Sequence, residues 1–176
     1  MPNSPKIAPF GSWKSPITAD LIVGGSVGLS QPQLDGPDIY WLELRPTEGG
    51  RNVVVKRSDA GSFTDLTPRP FNARTRVHEY GGGDYVVSNG VVYFTNFADQ
   101  RLYKQVGTGE PQPLTPAAEM RYADACLDHT RGRLVCVRED HTVHNAEAVN
   151  TIVAIDLAGG DETVLVSGND FYSNPR

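Results

Sequence analysis

Apolar positions along the chain fall into short runs, and the runs fall into three groups of four separated by polar turns. The first group is residues 21–23, 39–42, 53–55 and 63–66; the second is 85–87, 91–94, 101–103 and 112–114; the third is 122–127, 134–137, 152–155 and 163–166. A fourth group begins at Phe171. Runs this short, bounded by Gly, Asn, Asp and Pro, predict β-strands. Many are apolar at consecutive positions, whereas a sheet with one wet face would alternate, so both faces are expected to be covered. One segment competes with this reading. Ala117-Ala118-Glu119-Met120-Arg121-Tyr122-Ala123 has helical propensity, but the repeat places the start of a strand inside it.

Turn chemistry supports the grouping. Ser88-Asn89-Gly90 joins two apolar runs as a hairpin, because Asn-Gly accepts the positive φ of a tight turn. Residues 128–132 and Gly159-Gly160-Asp161 serve the third group in the same way, and Glu48-Gly49-Gly50 parts the second and third runs of the first. The groups also repeat. Leu66-Thr67-Pro68 recurs as Leu114-Thr115-Pro116, and Tyr80, Tyr122 and Tyr172 follow the groups at separations of 42 and 50 residues. Several short strands per unit, at that period and with no long helix, predict a β-propeller. The expected fold class is all-β: an incomplete β-propeller of about three four-stranded antiparallel blades plus the start of a fourth. Residues 1–20 form an irregular lead-in, 21–70 blade 1, 71–118 blade 2, 119–169 blade 3, and 170–176 open blade 4. The polar run 99–104 suits a position away from the ring axis.

Composition narrows the function classes. The 176 residues are 39% hydrophobic and 21% charged, a globular balance, and thirteen prolines with eighteen glycines favour turns over helices. A net charge of −5 with scattered Lys and Arg argues against nucleic acid, since phosphate binding needs a positive surface. No apolar stretch approaches the roughly 20 residues that span a bilayer, so no membrane partner is expected. Met1-Pro2-Asn3-Ser4-Pro5-Lys6 has no apolar segment after its charge, which argues against a secretory signal and for the cytoplasm. Cys126 and Cys136 sit in apolar runs with no Cys-x-x-Cys spacing. They read as buried reduced thiols, with a disulfide between neighbouring strands as the alternative. No metal or cofactor is expected.

Three motifs invite chemistry. Gly24-Gly25-Ser26-Val27-Gly28 matches G-x-S-x-G, but a nucleophile elbow needs a strand before it and a helix after it. Residues 21–23 could be that strand, yet Pro32 stands where the helix should propagate and no alternating β-α pattern follows. A glycine-rich bend ahead of the first blade strand is the preferred reading. His141-Thr142-Val143-His144 lacks the i, i+4 spacing of a helical metal site and reads as an exposed loop between the second and third strands of the third group. Gly81-Gly82-Gly83 precedes neither a helix start nor a lysine, so it is no phosphate loop.

The densest polar cluster is Arg74-Thr75-Arg76-Val77-His78-Glu79-Tyr80-Gly81-Gly82-Gly83, between the first two groups. Inter-blade connections open onto one rim of a propeller and its channel. Glycines there let backbone approach closely, and Arg and Glu can take the charged ends of a ligand. Arg76, His78, Glu79 and Tyr80 are therefore the candidate substrate-channel or domain-interface residues, and no residue is a candidate for catalysis. The alternative is a structural crossover in which Arg76 and Glu79 pair with neighbours and the glycines serve packing. Spacing alone does not separate the two.

Taken together and in order, five segments resemble the N-terminal propeller of prolyl oligopeptidase-family serine peptidases, in the acylaminoacyl-peptidase and dipeptidyl-aminopeptidase-like branch. They are Gly11-Ser12-Trp13-Lys14-Ser15-Pro16-Ile17-Thr18, Tyr40-Trp41-Leu42-Glu43-Leu44-Arg45-Pro46, His78-Glu79-Tyr80-Gly81-Gly82-Gly83, Asp99-Gln100-Arg101-Leu102-Tyr103 and Phe171-Tyr172-Ser173-Asn174-Pro175-Arg176. The resemblance covers nearly the whole chain. It implies a two-domain enzyme in which the propeller covers a C-terminal α/β-hydrolase carrying a Ser-Asp-His triad. It further implies hydrolysis of peptide bonds near the N-terminus of short peptides, with the propeller gating access and helping to bind the substrate terminus. The hydrolase is expected to be absent here, Ser26 does not occupy the family's nucleophile position, and the fragment is expected to be inactive. The alternative is a stand-alone binding module that self-associates through exposed blade edges.

Overall fold

The computed structural model describes residues 7–176. Among them, strands pair as three four-stranded antiparallel meanders. Blade 1 is β1 (Gly28–Asp35), β2 (Asp38–Arg45), β3 (Arg51–Arg57) and β4 (Phe63–Asp65). Blade 2 is β5 (Tyr85–Ser88), β6 (Val91–Thr95), β7 (Leu102–Val106) and β8 (Gln112–Pro113). Blade 3 is β9 (Met120–Asp128), β10 (Arg133–Asp140), β11 (Val149–Asp156) and β12 (Glu162–Ser167). The first strands β1, β5 and β9 touch their neighbours, so the sheets fan out from a shared edge as blades of a partial propeller. No helix among the described residues is long and apolar enough to cross a membrane.

Blades 2 and 3 lie on the apolar runs that predict them, and residues 117–123 form no helix. Blade 1 departs from its pattern. Residues 21–23 belong to a short helix, α1 (Ala19–Val23), whose first turn is capped by Thr18 Oγ1 accepting from the Leu21 N–H at 3.1 Å. The first strand is instead β1, which carries Pro32 between two glutamines. Pro32 is tolerated because β1 is an edge strand whose register slips between Ser30 and Gln33, where a missing N–H costs no ladder bond. The Gly24-Gly25-Ser26-Val27-Gly28 motif thus joins a helix to a strand, the reverse of an elbow. It is the glycine-rich bend ahead of the first blade strand.

The repeated Leu-Thr-Pro segments have one job in both blades. Leu66 N–H donates to Val54 O and Leu114 N–H to Leu102 O, each at 2.8 Å. Thr67 Oγ1 accepts from Val54 N–H at 3.0 Å and Thr115 Oγ1 from Leu102 N–H at 3.1 Å. Both threonines are buried, so their hydroxyls satisfy third-strand donors that the short fourth strand leaves uncovered. A following proline then turns the chain away.

Two apolar layers separate the sheets, and a third covers the far face of blade 3. Tyr40, Leu42 and Val54 of blade 1 meet Tyr85, Val92, Phe94 and Tyr103 of blade 2. Tyr93 and Leu102 meet Tyr122, Leu134, Cys136, Val153 and Ile155 of blade 3. Val137, Ala123 and Ile152 on the far face of blade 3 are covered by Val77 and Tyr172. Covered faces on both sides explain the continuous apolar runs: β11 is buried at every position from Asn150 to Ile155. Cys126 and Cys136 are free thiols; Cys136 is buried and Cys126 half-buried, so no disulfide links the strands. Burial pushes both thiols up.

At the shared edge the blades are stitched by polar atoms. Gln31 Nε2 donates to Asp84 Oδ2 at 2.6 Å while Gln31 Oε1 accepts from Asp84 N–H at 2.9 Å. Gly83 N–H donates to Asp124 Oδ1 at 2.5 Å, and Asn174 N–H donates to Asp124 Oδ2 at 3.0 Å. A Cβ on Gly82 or Gly83 would come within 2.9 or 3.0 Å of Asp124 Oδ1, so these glycines serve close approach of one blade to the next. Burial pushes the Asp84 carboxyl up to about 6, against the pull of N–H donors from Thr75 and Gln31.

Candidate functional site

The polar cluster between blades 1 and 2 is held in a tight turn. Glu79 N–H donates to Arg76 O and Gly81 N–H to Val77 O, each at 2.9 Å. His78 and Glu79 sit consecutively at φ of 56° and 62°. Each costs about 1–3 kcal/mol for a residue with a Cβ, so surrounding structure must impose the bend. Blade 3 does so. His78 N–H donates to Glu139 Oε1 at 2.7 Å, and the Arg121 guanidinium donates to Arg76 O at 2.9 Å.

Strand register explains why those two side chains are there. Glu139 of β10 lies opposite Arg121 of β9 and opposite Asn150 of β11. The three form one cross-strand row, two residues along from Val137, Ala123 and Ile152. The row therefore caps the apolar layer on the far face of blade 3. Glu139, only 4% exposed, is its hub. Its Oε2 lies 3.0 Å from His141 Nε2 and 3.9 Å from Arg121, and His78 Nδ1 is 3.2 Å from its Oε1. That last approach makes no hydrogen bond, whereas His78 Nε2 lies 3.0 Å from the Tyr172 carbonyl. Arg121 also pairs with Glu79 at 2.5 Å and holds that carboxyl below its usual range.

His78, Glu79, Glu139 and His141 line a cavity of about 550 Å³ together with Asp170 and Phe171. Phe171 packs edge-on against the His78 ring, 5.4 Å between centroids. Glu79, Glu139, Glu147 and Asp170 line the space together with Asn150. Asn150 is 7% exposed, and its Oδ1 is buried with no hydrogen-bond partner among the described residues. An orphan acceptor among carboxylates is suited to a cation that donates N–H bonds.

The expected site residues are spread over three adjoining cavities, with His78 lining two of them. His78 and Glu79 line the acidic cavity. Arg76 lines a neighbouring cavity with Arg121 and His141. Tyr80 is 85% exposed; its ring lies 5.7 Å from the His78 ring, and the two residues line a groove along the shared blade edge with Gly81, Gly82 and Gly83. Gly82 and Gly83 pack closely against Asp124, and Glu79 pairs with Arg121. Glu139, Asn150 and Arg121 are residues that sequence reasoning missed. Their one signal was a charged Glu139 in phase with apolar Val135 and Val137, hidden because β10 runs on to Asp140. The His141–His144 segment is the expected loop, but His141 is tied to Glu139 while His144 stays exposed, 3.7 Å from Glu119. No group of His, Cys, Asp and Glu among the described residues is arranged to hold a metal ion. Ser26 Oγ bonds only the Ile22 carbonyl, at 3.5 Å, among the described residues.

No family model matches the chain, and no curated protein sequence matches it. Solved structures do. A puromycin-hydrolyzing peptidase of Mycobacterium tuberculosis is 38% identical, with a TM-score of 0.81 over 96% of this chain and 29% of that one. A puromycin hydrolase is 33% identical, with a TM-score of 0.77 over 91% of this chain and 27% of that one. A mutant of puromycin hydrolase complexed with PGG matches equally. AtxE2 isopeptidase, at 14% identity and a TM-score of 0.53, shares the fold over 78% of this chain and 20% of its own. The chain therefore spans less than a third of the peptidases it matches.

Proposed function

Since the chain belongs to the prolyl oligopeptidase family of peptidases, as part of the propeller, we propose that it serves a serine exopeptidase or oligopeptidase acting near the N-terminus of short peptides. The propeller gates access and holds the substrate's amino end. The observation that carries this reading is Asn150, which lines the acidic cavity and whose buried Oδ1 is an orphan. A peptide ammonium brings three N–H donors and one positive charge. One donor meets Asn150 Oδ1, and the charge is met by Glu139, Glu147 and Asp170 in a partly desolvated space. Phe171 adds an aromatic wall against which a cation is favourable.

The test is binding of tri-alanine and its N-acetyl derivative to the chain, followed by calorimetry. The free amine is expected to bind at least about tenfold more tightly, and Asn150→Leu to remove most of that difference, as losing one partner of a buried hydrogen bond costs about 1–3 kcal/mol. Equal affinity for the two peptides would refute the amine role.

Bond cleavage belongs to a hydrolase domain in this reading. No serine hydroxyl among the described residues is hydrogen-bonded to a histidine, as an activated nucleophile requires. The 176-residue chain is expected to give no turnover of chromogenic aminoacyl or acyl-aminoacyl substrates. Robust turnover abolished by Ser26→Ala would reverse that assignment.

A further inference from the structure

We infer that the cavity beside the acidic one is a carboxylate subsite built on Arg76, so that the site takes short unblocked peptides by both ends. The inference rests on the amine reading for its second anchor. The cavity measures about 460 Å³ and lies between the 95–102 connection, residues 118–121 and the 141–146 loop. It shares His141 and Ala146 with the acidic cavity, and the Arg121–Glu79 ion pair stands between the two.

Arg76 is held for this role by its backbone and left free at its side chain. Its N–H donates to Gln100 Oε1 at 2.7 Å, and its carbonyl accepts from Arg121 at 2.9 Å. Its guanidinium lies 5.5 Å from the Phe97 ring centroid, with Arg74 5.1 Å from the same ring. Stacking restricts the side chain and leaves the N–H fork open, so little entropy is lost when a carboxylate binds. Among the described residues, Arg76 has no carboxylate within 4.0 Å, as is true also of Arg57, Arg74, Arg101 and Arg176, whereas Arg45, Arg51, Arg69, Arg121, Arg131, Arg133 and Arg138 each have at least one; of the five without a partner, Arg76 alone has another arginine, Arg121, beside it in a cavity wall. An unpaired guanidinium is an opening for an anion.

The wall chemistry selects the class of anion. Asp99 and Glu119 also line the cavity, and Asp99 is occupied by the Tyr103 hydroxyl at 2.6 Å and by Asn96. Two carboxylates repel a phosphate dianion about twice as strongly as a monoanion, and a planar carboxylate can take both arms of one guanidinium. A peptide C-terminus fits that description. With the ammonium on Asn150 and the carboxylate on Arg76, the paired cavities prefer di- and tripeptides to long or blocked chains.

Calorimetric titration of the chain with tri-alanine, its C-terminal amide and its N-acetyl derivative tests the subsite. The amide is expected to bind about tenfold or more weakly than the free acid, since a charged hydrogen-bond pair is lost. Arg76→Gln is expected to weaken tri-alanine by the same factor and to leave the amide unchanged. If the amide equals the free acid, or Arg76→Gln weakens both alike, the carboxylate subsite is wrong, while the acetyl comparison still decides the amine reading. If acetylation has no effect but amidation does, the amine reading fails and Arg76 keeps its role. Absence of binding by any of the three would remove both. The amide comparison uses the unaltered chain and does not depend on how the variant folds.

Discussion

Replacing Phe94 with alanine is expected to lower the unfolding free energy by about 3–5 kcal/mol. That is a large part of the about 5–15 kcal/mol that a domain has. Phe94 is fully buried in β6, at the centre of the layer between blades 1 and 2. Its ring stacks on Tyr103 at 5.7 Å and 20°, and Phe71 meets it edge-on at 5.9 Å and 89°. Phe71 and Tyr103 close the triangle at 5.1 Å. Such pairs add about 0.5–1.5 kcal/mol beyond burial. Tyr40, Leu42 and Val54 of blade 1 rest on the same layer, so a cavity there loosens two sheets at once. Urea unfolding followed by far-UV circular dichroism reads the effect. Phe63→Ala is the control: that ring is 67% exposed and loses chiefly its edge-on contact with Trp41, a cost of about 0.5–1.5 kcal/mol. Equal costs at the two positions would contradict an apolar layer between the blades.

Glu139→Ala is expected to cost about 3–5 kcal/mol as well, and to abolish amine binding. The substitution leaves the His78 N–H without its acceptor, removes the partner of His141 and frees a turn that holds two left-handed residues in place. The cost comes mainly from stranded partners rather than from the net worth of the pairing. Glu139→Gln separates the two consequences. An amide oxygen still accepts from His78 N–H, so stability should fall less, while the lost charge should still weaken tri-alanine at least about tenfold. Wild-type stability in the alanine variant would show that Glu139 is no hub. Undiminished affinity in the glutamine variant would show that its charge takes no part in amine recognition.

Much of blades 2 and 3 was legible because their strands are covered on both faces. Burial of both faces selects continuous apolar runs such as residues 91–94 and 152–155, and glycine turns mark their ends. β1 was hidden for the opposite reason. It is an edge strand, exposed at most of its positions, so its sequence answers to the bulge and to Gln31–Asp84 pairing rather than to a core. The apolar residues 21–23 stood out instead, and a threonine cap with no strand partner made them a helix.

The candidate site was half legible. His78 and Glu79 stood out because an inter-blade connection dense in charge has no core to build. Left-handed bends at His78 and Glu79 turn the chain, so that Glu79 faces the acidic cavity, Tyr80 the groove along the blade edge, and His78 lines both. Glu139 and Asn150 could not be paired with them by inspection. They lie 61 and 72 positions beyond His78, and only the register of β9, β10 and β11 puts Arg121, Glu139 and Asn150 in one row.

The amino-acid order alone determined that this chain makes short strands in repeating meanders, because side-chain periodicity and turn residues act over a few positions. What only the tertiary structure decided is which polar groups share a cavity. That depends on how far one blade leans on the next, an angle set by apolar layers and by glycines at 82 and 83 that admit Asp124. Electrostatic neighbours such as His78 and Glu139 are consequences of that angle, and no local pattern encodes it.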